Sequence, residues 1–492
     1  MPPLSYRLDI STDKILYNTR EGHMKKYLSD LSRFFSVHQL ALIFFTALLA
    51  RSLVFIYVAS DVRKFYTFDS SEYVTLAQNL LDHGTFSQEN TPPFSPDLAR
   101  TPGYPVFLAI VLKAFGNNFH AIILLQIIIG GITAVLTYYL AVKLGHPTSA
   151  CLIAAWIVTL DPVAVLLSNR LLTETLFTFG LVLAVLLLTI YLQNNKIEFL
   201  ILSAIVVSFS ALTRPIVQFL PIALLPLLIV ARKDKRLSSR VSSGLTFVFI
   251  CGAIISSWSY RNYKTGNLFM LSTIADTNLI YYRARAVLAE AEHISQEDAL
   301  KELQDEIETA AAQQNLSQPE IFSLQRKKAF QIFSQYPVQT SVMLVKGAGR
   351  MLVDPGFTII CTMLDRSSLQ YDCIPGQSTM LDSGVLTKVS QAFQKMTLVQ
   401  QSTLLWGIIF IGVIYIGLAG GISRLVREKN WLSLFLLGIV ILYFVALSAG
   451  GETNYRFRAP ILPFIAILSG AGYNAILRYI GSVPVKRERS IP

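Results

Sequence analysis

The sequence predicts an all-α polytopic membrane protein with about ten transmembrane helices. Of its 492 residues, 53% are hydrophobic and only 15% are charged, whereas a soluble domain has about 25% charged residues. The mean hydropathy is +0.50. Apolar runs of about 20 residues, the length that crosses the hydrocarbon layer, recur along most of the chain.

Ten apolar runs are predicted to be spans: 38–60, 119–143, 148–167, 171–192, 197–213, 215–231, 241–260, 401–421, 431–449 and 456–479. The first is predicted to be retained, because no small-residue cleavage site follows it. A further run, 104–115, is only about half the length of a span.

Basic residues set the predicted orientation, since short cytoplasmic loops collect Lys and Arg. The basic loops 232–240 and 424–429 and the tail 481–492 all lie in the cytoplasm only if 104–115 does not cross. We therefore expect 104–115 to be a re-entrant or interfacial helix. The net charge of +11 then reflects topology, and no basic run interleaved with aromatic residues indicates nucleic-acid binding.

The predicted organisation has five parts: a cytoplasmic segment 1–37, a transmembrane catalytic core 38–260 with the outer loop 61–118, an extracytoplasmic segment 261–400, C-terminal transmembrane helices 401–480 and a cytoplasmic tail 481–492. The extracytoplasmic segment is predicted to be mostly helical, with a helical stretch at 286–312 and a capping-box-like spacing of Ser295 and Asp298. Cys361 and Cys373 lie where a disulfide is allowed, and both oxidation states stay open.

Acidic and arginine side chains gather at the non-cytoplasmic ends of the predicted spans. Ionisable groups beside apolar segments are costly, which makes each a candidate functional residue. Singly, each also has a structural explanation, such as a helix cap or a contact with lipid headgroups. Their joint placement indicates a site, with the candidates Asp69, Glu72, Arg100, Tyr104, Glu174, Arg214, Arg261, Tyr455, Arg456 and Arg458. Arg51, near the middle of the first span, is instead expected to form a structural ion pair.

Carboxylates together with arginines favour chemistry on an anionic substrate. Guanidinium groups bind phosphate in a bidentate manner, and a carboxylate can act as a general base or hold a metal ion. The sequence has no glycine-rich phosphate loop and no Cys/His cluster with zinc spacing. No predicted cytoplasmic segment is longer than about 40 residues, which leaves no room for a nucleotide-binding domain.

Six short motifs occur in order: FDSSEY at 68–73, RTPGYP at 100–105, LLTET at 171–175, LTRP at 212–215, WSYRN at 258–262 and YRFRAP at 455–460. Over residues 38–275 and 400–480, the chain resembles the polytopic GT-C glycosyltransferases. Within that group it resembles the protein O-mannosyltransferase and lipid A aminoarabinose transferase superfamily.

The resemblance implies a transferase that moves a sugar from a polyprenyl-phosphate donor to a lipid, glycan or protein acceptor. It would work at the outer face of the plasma (inner) membrane, with both termini cytoplasmic. Asp69 corresponds to the general base or metal contact, Glu174 to the second acid, and Arg214 to the ligand of the donor phosphate, with Arg261 as the next phosphate candidate. Whether Asp69 and Glu174 share a divalent metal ion stays open.

The other candidate residues are expected to bind substrate. The acids that are adjacent in the first loop of protein mannosyltransferases are separated here, as Asp69 and Glu72, which leaves the role of Glu72 open. Displacement at the anomeric carbon is expected to invert it. Segment 261–400 contains no recognisable binding module, so the acceptor class does not follow from the resemblance.

Two other functions remain in competition. A transporter or flippase of lipid-linked substrates would suit intramembrane charge and a re-entrant helix, although no paired broken helices occur in matching halves. An O-antigen ligase-like transferase also works outside the cytoplasm but uses diphosphate-linked oligosaccharides, and only the RTPGYP motif argues against it.

Overall fold

The computed structural model describes residues 38–231, 235–365 and 393–482. These residues form α-helices, short 3-10 helices and a π-helical turn, and none of them forms a β-strand. Within this part of the chain, six helices are long and apolar enough to cross a membrane. The predicted all-α polytopic fold class is confirmed, whereas the orientation in the membrane stays a prediction.

The helices of the core are α1 (His38–Val58), α2 (Phe68–Asp82), α3 (Gly103–Phe115), α4 (Phe119–Lys143), α5 (Thr148–Leu160), α6 (Pro162–Leu167), α7 (Glu174–Asn194), α8 (Ile197–Thr213), α9 (Leu220–Val230) and α10 (Leu237–Gly266). The segment after α10, which we call the outer segment after its predicted location, contains α11 (Ile274–Asn278), a π-helical turn (Leu279–Ala284), α12 (Arg285–Glu292), α13 (Gln296–Gln314), α14 (Gln318–Gln335), α15 (Pro337–Val353) and α16 (Phe357–Leu364). The C-terminal helices are α17 (Leu398–Arg427), α18 (Trp431–Ser448) and α19 (Leu462–Ser482), with a 3-10 turn at Tyr455–Arg458 before α19.

The predicted span 148–167 is divided into α5 and α6. Asp161 ends α5 because its backbone is extended, with ψ of 115°. Its side chain then caps α6, where the Ala164 N–H donates to Asp161 Oδ2 at 2.8 Å, and Pro162 begins the new helix. Proline is well placed at a first helical position because its missing N–H is not needed there.

Helix α3 has 13 residues and is too short to cross the hydrocarbon layer. Its first residue, Gly103, lies against the end of α8: a Cβ added there would lie 2.6 Å from Thr213 Oγ1 and 2.7 Å from the Leu212 carbonyl oxygen. Only glycine allows this approach, which brings the chain before α3 next to Arg214. Whether α3 is re-entrant or interfacial stays a prediction.

The described part of the outer segment is helical, as predicted, but the stretch 286–312 is not one helix. His293 adopts the left-handed conformation, with φ of 56°, and ends α12. Ser295 then caps α13 by accepting the Asp298 N–H at 3.0 Å. Cys361 is buried in α16, and Cys373 lies outside the described residues, as do segment 1–37 and most of the tail 481–492.

Arg51 is 2% exposed and lies between α1, α4 and α5. It donates to the main-chain oxygens of Ala47 at 3.2 Å and Thr159 at 3.4 Å, and among the described residues no carboxylate forms an ion pair with it. The expected ion pair is thus replaced by carbonyl contacts. A Cβ on Gly130 would lie 2.7 Å from Arg51 Nε, so a glycine of α4 makes room for the guanidinium.

Close packing of α17 and α19 depends on glycine. A Cβ on Gly421 would overlap the Leu468 carbonyl oxygen, whereas one on Gly412 of the same helix would meet nothing within 4 Å. We expect Gly421→Ala to destabilise the protein by about 1–3 kcal/mol, because the two backbones must separate. The unfolding midpoint in detergent measures this.

Gly412→Ala is the matched control, and its midpoint should stay the same or rise, since alanine favours helix. Equal midpoints for the two variants would contradict this account of the α17–α19 contact.

Candidate active site

Five segments deliver charged side chains to one end of the helical core. The residues are Asp69 and Glu72 in the first turns of α2, Arg100 before α3, Glu174 at the start of α7, Arg214 just after α8, and Arg456 in the 3-10 turn before α19. We call these residues the charge ladder, because acids and arginines alternate along it.

At the α2 end of the charge ladder, Arg100 joins two carboxylates. Its Nε donates to Glu72 Oε2 at 2.6 Å, and its Nη2 donates to Asp69 Oδ1 at 2.9 Å. The other oxygen of Asp69, Oδ2, accepts from Arg456 Nη1 at 2.9 Å. Both oxygens of Asp69 are therefore bound by guanidinium groups.

At the other end, Arg456 Nε donates to Glu174 Oε1 at 2.7 Å, and Arg214 Nη1 lies 3.0 Å from the same oxygen. The Arg214 guanidinium also lies 5.7 Å from the Phe177 ring and 5.6 Å from the Phe457 ring. Arg214 is the terminal arginine and contacts a single carboxylate, so its guanidinium retains unused donors.

The carboxylates differ in exposure. The Asp69 side chain is 26% exposed, whereas that of Glu174 is 1% exposed. Glu174 Oε2 is buried and has no hydrogen-bond partner among the described residues. The Asp69 carboxylate is therefore accessible from solvent, whereas Glu174 is covered by Arg214 and Arg456.

Two effects compete at Asp69. Burial raises the pKa of its carboxyl, but the charges and hydrogen bonds of Arg456 and Arg100 lower it by more, and the net pKa lies below the usual value. Asp69 is thus ionised at neutral pH, and the arginines hold it as a carboxylate.

The charge ladder borders a cavity of about 2180 Å³ between the core and the outer segment. Six of the predicted site residues line it: Asp69, Glu72, Arg100, Arg214, Tyr455 and Arg456. Helices α11, α12 and α15 of the outer segment also line it. A drug-sized ligand site has about 300–1,000 Å³, so this cavity has room for a considerably larger molecule.

Four predicted residues lie apart from the described lining of the cavity. Glu174 lies beneath Arg214 and Arg456, and Tyr104 is fully buried, its hydroxyl donating to Gln126 Oε1 at 2.7 Å. Arg458 is 2% exposed and donates to the Asp354 carbonyl oxygen at 2.8 Å.

Arg261, the fourth of these residues, anchors the loop before α3. Its Nη1 donates to the Asp97 carbonyl oxygen at 2.6 Å, and its Nη2 donates to that of Phe86 at 3.3 Å. Its guanidinium also lies 4.9 Å from the Trp258 ring. Arg261 therefore supports the loop that carries Arg100.

Sequence reasoning missed two residues of the cavity wall. The Tyr73 hydroxyl accepts from Arg100 Nη1 at 3.2 Å; it is one helical turn after Asp69, a spacing that could have indicated it. Arg170 is 3% exposed and donates to the Tyr66 carbonyl oxygen at 2.7 Å. No pattern in the sequence distinguished Arg170, because its partners are distant in the chain.

A divalent ion shared by Asp69 and Glu174 does not fit this arrangement. Arg456 lies between the two carboxylates, and three of their four oxygens already face guanidinium groups. Within the described ranges, no group of three or more His, Cys, Asp or Glu side chains is arranged to hold a metal. A metal role for these acids stays a prediction.

The fold and the charge ladder together define a polytopic helical membrane protein with a site of acids and arginines at one end of its core. Residues 99–260 match the model of the dolichyl-phosphate-mannose-protein mannosyltransferase family. This match includes Arg100, Glu174 and Arg214, and it confirms the predicted resemblance to mannosyltransferase-like GT-C glycosyltransferases. No curated protein sequence matches the chain significantly.

Among solved structures, the chain is similar to the oligosaccharyltransferase AglB of Archaeoglobus fulgidus in complex with an inhibitory peptide and a dolichol-phosphate, with 12% identity, a TM-score of 0.46 and coverage of 93% of this chain and 53% of AglB. A second structure of an oligosaccharyltransferase from that organism, tethered to an acceptor peptide, gives 12% identity, a TM-score of 0.49 and coverage of 91% and 50%.

ArnT of Cupriavidus metallidurans, bound to undecaprenyl phosphate, gives 13% identity, a TM-score of 0.40 and coverage of 91% of this chain and 81% of ArnT. The chain thus spans about half the length of the oligosaccharyltransferases that it matches. Identities and TM-scores this low are too weak to transfer residues or activities to this chain.

The lowered pKa of Asp69 predicts an acid-dependent loss of stability. The Asp69 carboxylate stabilises the fold fully above its unfolded pKa of about 3.9, and this contribution is lost as the pH falls through the lower folded value. Asp69→Asn should therefore lower the unfolding midpoint at neutral pH and reduce its fall between about pH 5 and pH 2. Thermal unfolding in detergent across this range measures both effects.

Asp305, on the exposed face of α13, supplies the control. Asp305→Asn should unfold with the wild-type dependence on pH. If Asp69→Asn also follows the wild-type curve, the arginines do not stabilise the Asp69 carboxylate as described.

Proposed function

We propose that the protein is a glycosyltransferase that moves a sugar from a polyprenyl-phosphate donor to an acceptor hydroxyl at the extracytoplasmic face of the plasma (inner) membrane. The observation that carries this proposal is the charge ladder, which places a cavity-facing carboxylate and an arginine with unused donors on one cavity wall. The family match over residues 99–260 supports the same reaction class.

Arg214 is the proposed ligand of the donor phosphate. As the glycosidic bond breaks, negative charge develops on the departing polyprenyl phosphate, and a preorganised guanidinium stabilises it. Arg214 is held between Phe177 and Phe457, which favours one orientation of its planar donors. Because Glu174 is its sole carboxylate contact among the described residues, a phosphate can bind without displacing a second acid.

Asp69 is the proposed general base. It accepts the proton of the acceptor hydroxyl as the hydroxyl oxygen bonds to the anomeric carbon and the phosphate oxygen leaves, with inversion. Arg456 holds Asp69 Oδ2 in the structure, so this oxygen must be released first. A donor phosphate near Arg214 also attracts Arg456, and transfer of that guanidinium to the phosphate would free the oxygen and strengthen the base.

Glu174 is the proposed positioning residue for Arg214 and Arg456, since it contacts both and is nearly inaccessible. Glu72 has the corresponding role for Arg100. The geometry favours a loop-anchoring role for Arg261 over phosphate binding. The acceptor, whether lipid, glycan or protein, would lie in the cavity that Tyr455 also lines.

Substitution of the base and the phosphate ligand tests this proposal. In proteoliposomes with a synthetic polyprenyl-phosphate sugar and native membrane extract as acceptor, Asp69→Asn should lower transfer by about 10²–10⁴-fold. Arg214→Gln should lower it by about 10²–10³-fold, because the leaving phosphate loses a charged donor. Scintillation counting of sugar in the acceptor fraction measures both.

Arg63→Gln is the matched control, since Arg63 is 63% exposed at the cavity rim and pairs with Asp61. It should transfer sugar at the wild-type rate. Wild-type transfer by both Asp69→Asn and Arg214→Gln would overturn the proposed roles.

A further inference from the structure

Two arginines that line the cavity on the outer segment have no hydrogen-bond or ion-pair partner among the described residues. Arg285 begins α12 and Arg350 lies in the last turn of α15, and both line the cavity. Neither forms a hydrogen bond or an ion pair with any of the described residues, and the Nε of each is buried without a partner. The Arg285 guanidinium lies 5.3 Å from the Tyr282 ring, which compensates only part of its charge.

The two acids nearest to Arg350, Glu452 and Asp354, bind other groups, although Glu452 Oε2 is buried without a hydrogen-bond partner among the described residues. Glu452 binds Arg283 through Oε1, at 2.9 Å from Nε and 2.7 Å from Nη2. Asp354 accepts the main-chain N–H groups of Gly356 at 2.8 Å and Phe357 at 3.3 Å. The charges of these two acids raise the pKa of Arg350, but burial lowers it by more, and among the described residues neither acid forms a hydrogen bond or an ion pair with Arg350.

Two further acids that line the cavity are paired with cations. Glu290 binds Lys346 at 3.0 Å, and Asp276 forms a bidentate pair with Arg326 at 2.8 and 2.9 Å. Arg285 and Arg350 thus stand out from the other cations of this wall, each of which has its own acid.

A partly buried guanidinium without a counterion is costly, since desolvation is not repaid. Burial accordingly lowers the pKa of both Arg285 and Arg350. A ligand that brings oxyanions would remove this cost, and the planar guanidinium fits phosphate and carboxylate oxygens in pairs.

We propose that Arg285 and Arg350 form an anion-binding wall that holds oxyanion groups of a large ligand in the cavity. The cavity volume of about 2180 Å³ leaves room for such a ligand beside a donor phosphate at Arg214. The identity of this ligand rests on the proposed function: it is the acceptor, which carries phosphate or carboxylate groups in addition to its reactive hydroxyl.

Binding of inorganic pyrophosphate to the purified full-length protein in detergent tests the wall. Equilibrium dialysis at constant ionic strength should show that Arg285→Gln/Arg350→Gln binds one pyrophosphate fewer per chain than the wild type. Citrate, in parallel, identifies the group: displacement of wall-bound pyrophosphate by citrate at similar concentration supports a carboxylate ligand, and failure to displace supports a phosphate ligand.

Lys346→Gln is the control on the same helix, because Lys346 lines the cavity but already has a partner in Glu290. It should bind pyrophosphate as the wild type does. The double variant should fold at least as stably as the wild type, since it removes uncompensated charge. If it does not fold, Arg285→Lys/Arg350→Lys keeps the charge and should weaken the same binding about 3- to 10-fold, as paired donors are lost.

If the double variant binds as much pyrophosphate as the wild type, the proposal of an anion-binding wall is wrong. The proposed donor site is tested separately by Arg214→Gln, which should also bind one pyrophosphate fewer than the wild type. If Arg214→Gln binds as the wild type does while the double variant binds one fewer, the proposed role of Arg214 is wrong and the anion-binding wall is supported.

Discussion

The charge ladder is the constraint on which the rest of the structure depends. Its three carboxylates and three guanidinium groups balance in a partly buried region, where an unpaired charge costs several kcal/mol. Arg456 is the central member because it joins Asp69 to Glu174. Loss of this one residue leaves two acids short of a partner, so five segments of the chain must keep their relative positions for the ladder to exist.

The helical core meets this constraint through backbone features at helix ends. Gly103 lets α3 begin against the end of α8, which places Arg100 and Arg214 at the same end of the core. Asp161 breaks the span before α7 and caps α6, so that the chain reaches Glu174 from a short helix. Helix ends are suited to carry charged groups, since their free N–H and C=O groups already require polar surroundings.

The outer segment completes the cavity, and its charged side chains are compensated differently from those of the core. On the core side, the acids and arginines compensate one another, and substrate binding must compete with existing ion pairs. On the outer side, Arg285 and Arg350 form no ion pair with any described residue. The two walls therefore favour different ligands. A ligand of the charge ladder must exchange partners with existing ion pairs, whereas an anion at Arg285 and Arg350 displaces no described acid.

The sequence by itself determined the helical membrane fold, since a span needs only a run of apolar residues and this property is local. It also determined most of the charge ladder, because ionisable residues at span ends are conspicuous and the short motifs containing them occur in a recognised order. Span boundaries such as 119–143 and 197–213 agreed with α4 and α8 for the same reason.

Only the tertiary structure decided which charges meet. Asp69 and Arg456 are separated by most of the chain, and their 2.9 Å contact depends on the packing of helices that no local pattern specifies. The same packing directed Arg261 and Arg458 to main-chain carbonyl groups and left Arg285 and Arg350 without partners. A sequence shows where charges are costly, but the choice of partner is a long-range property of the fold.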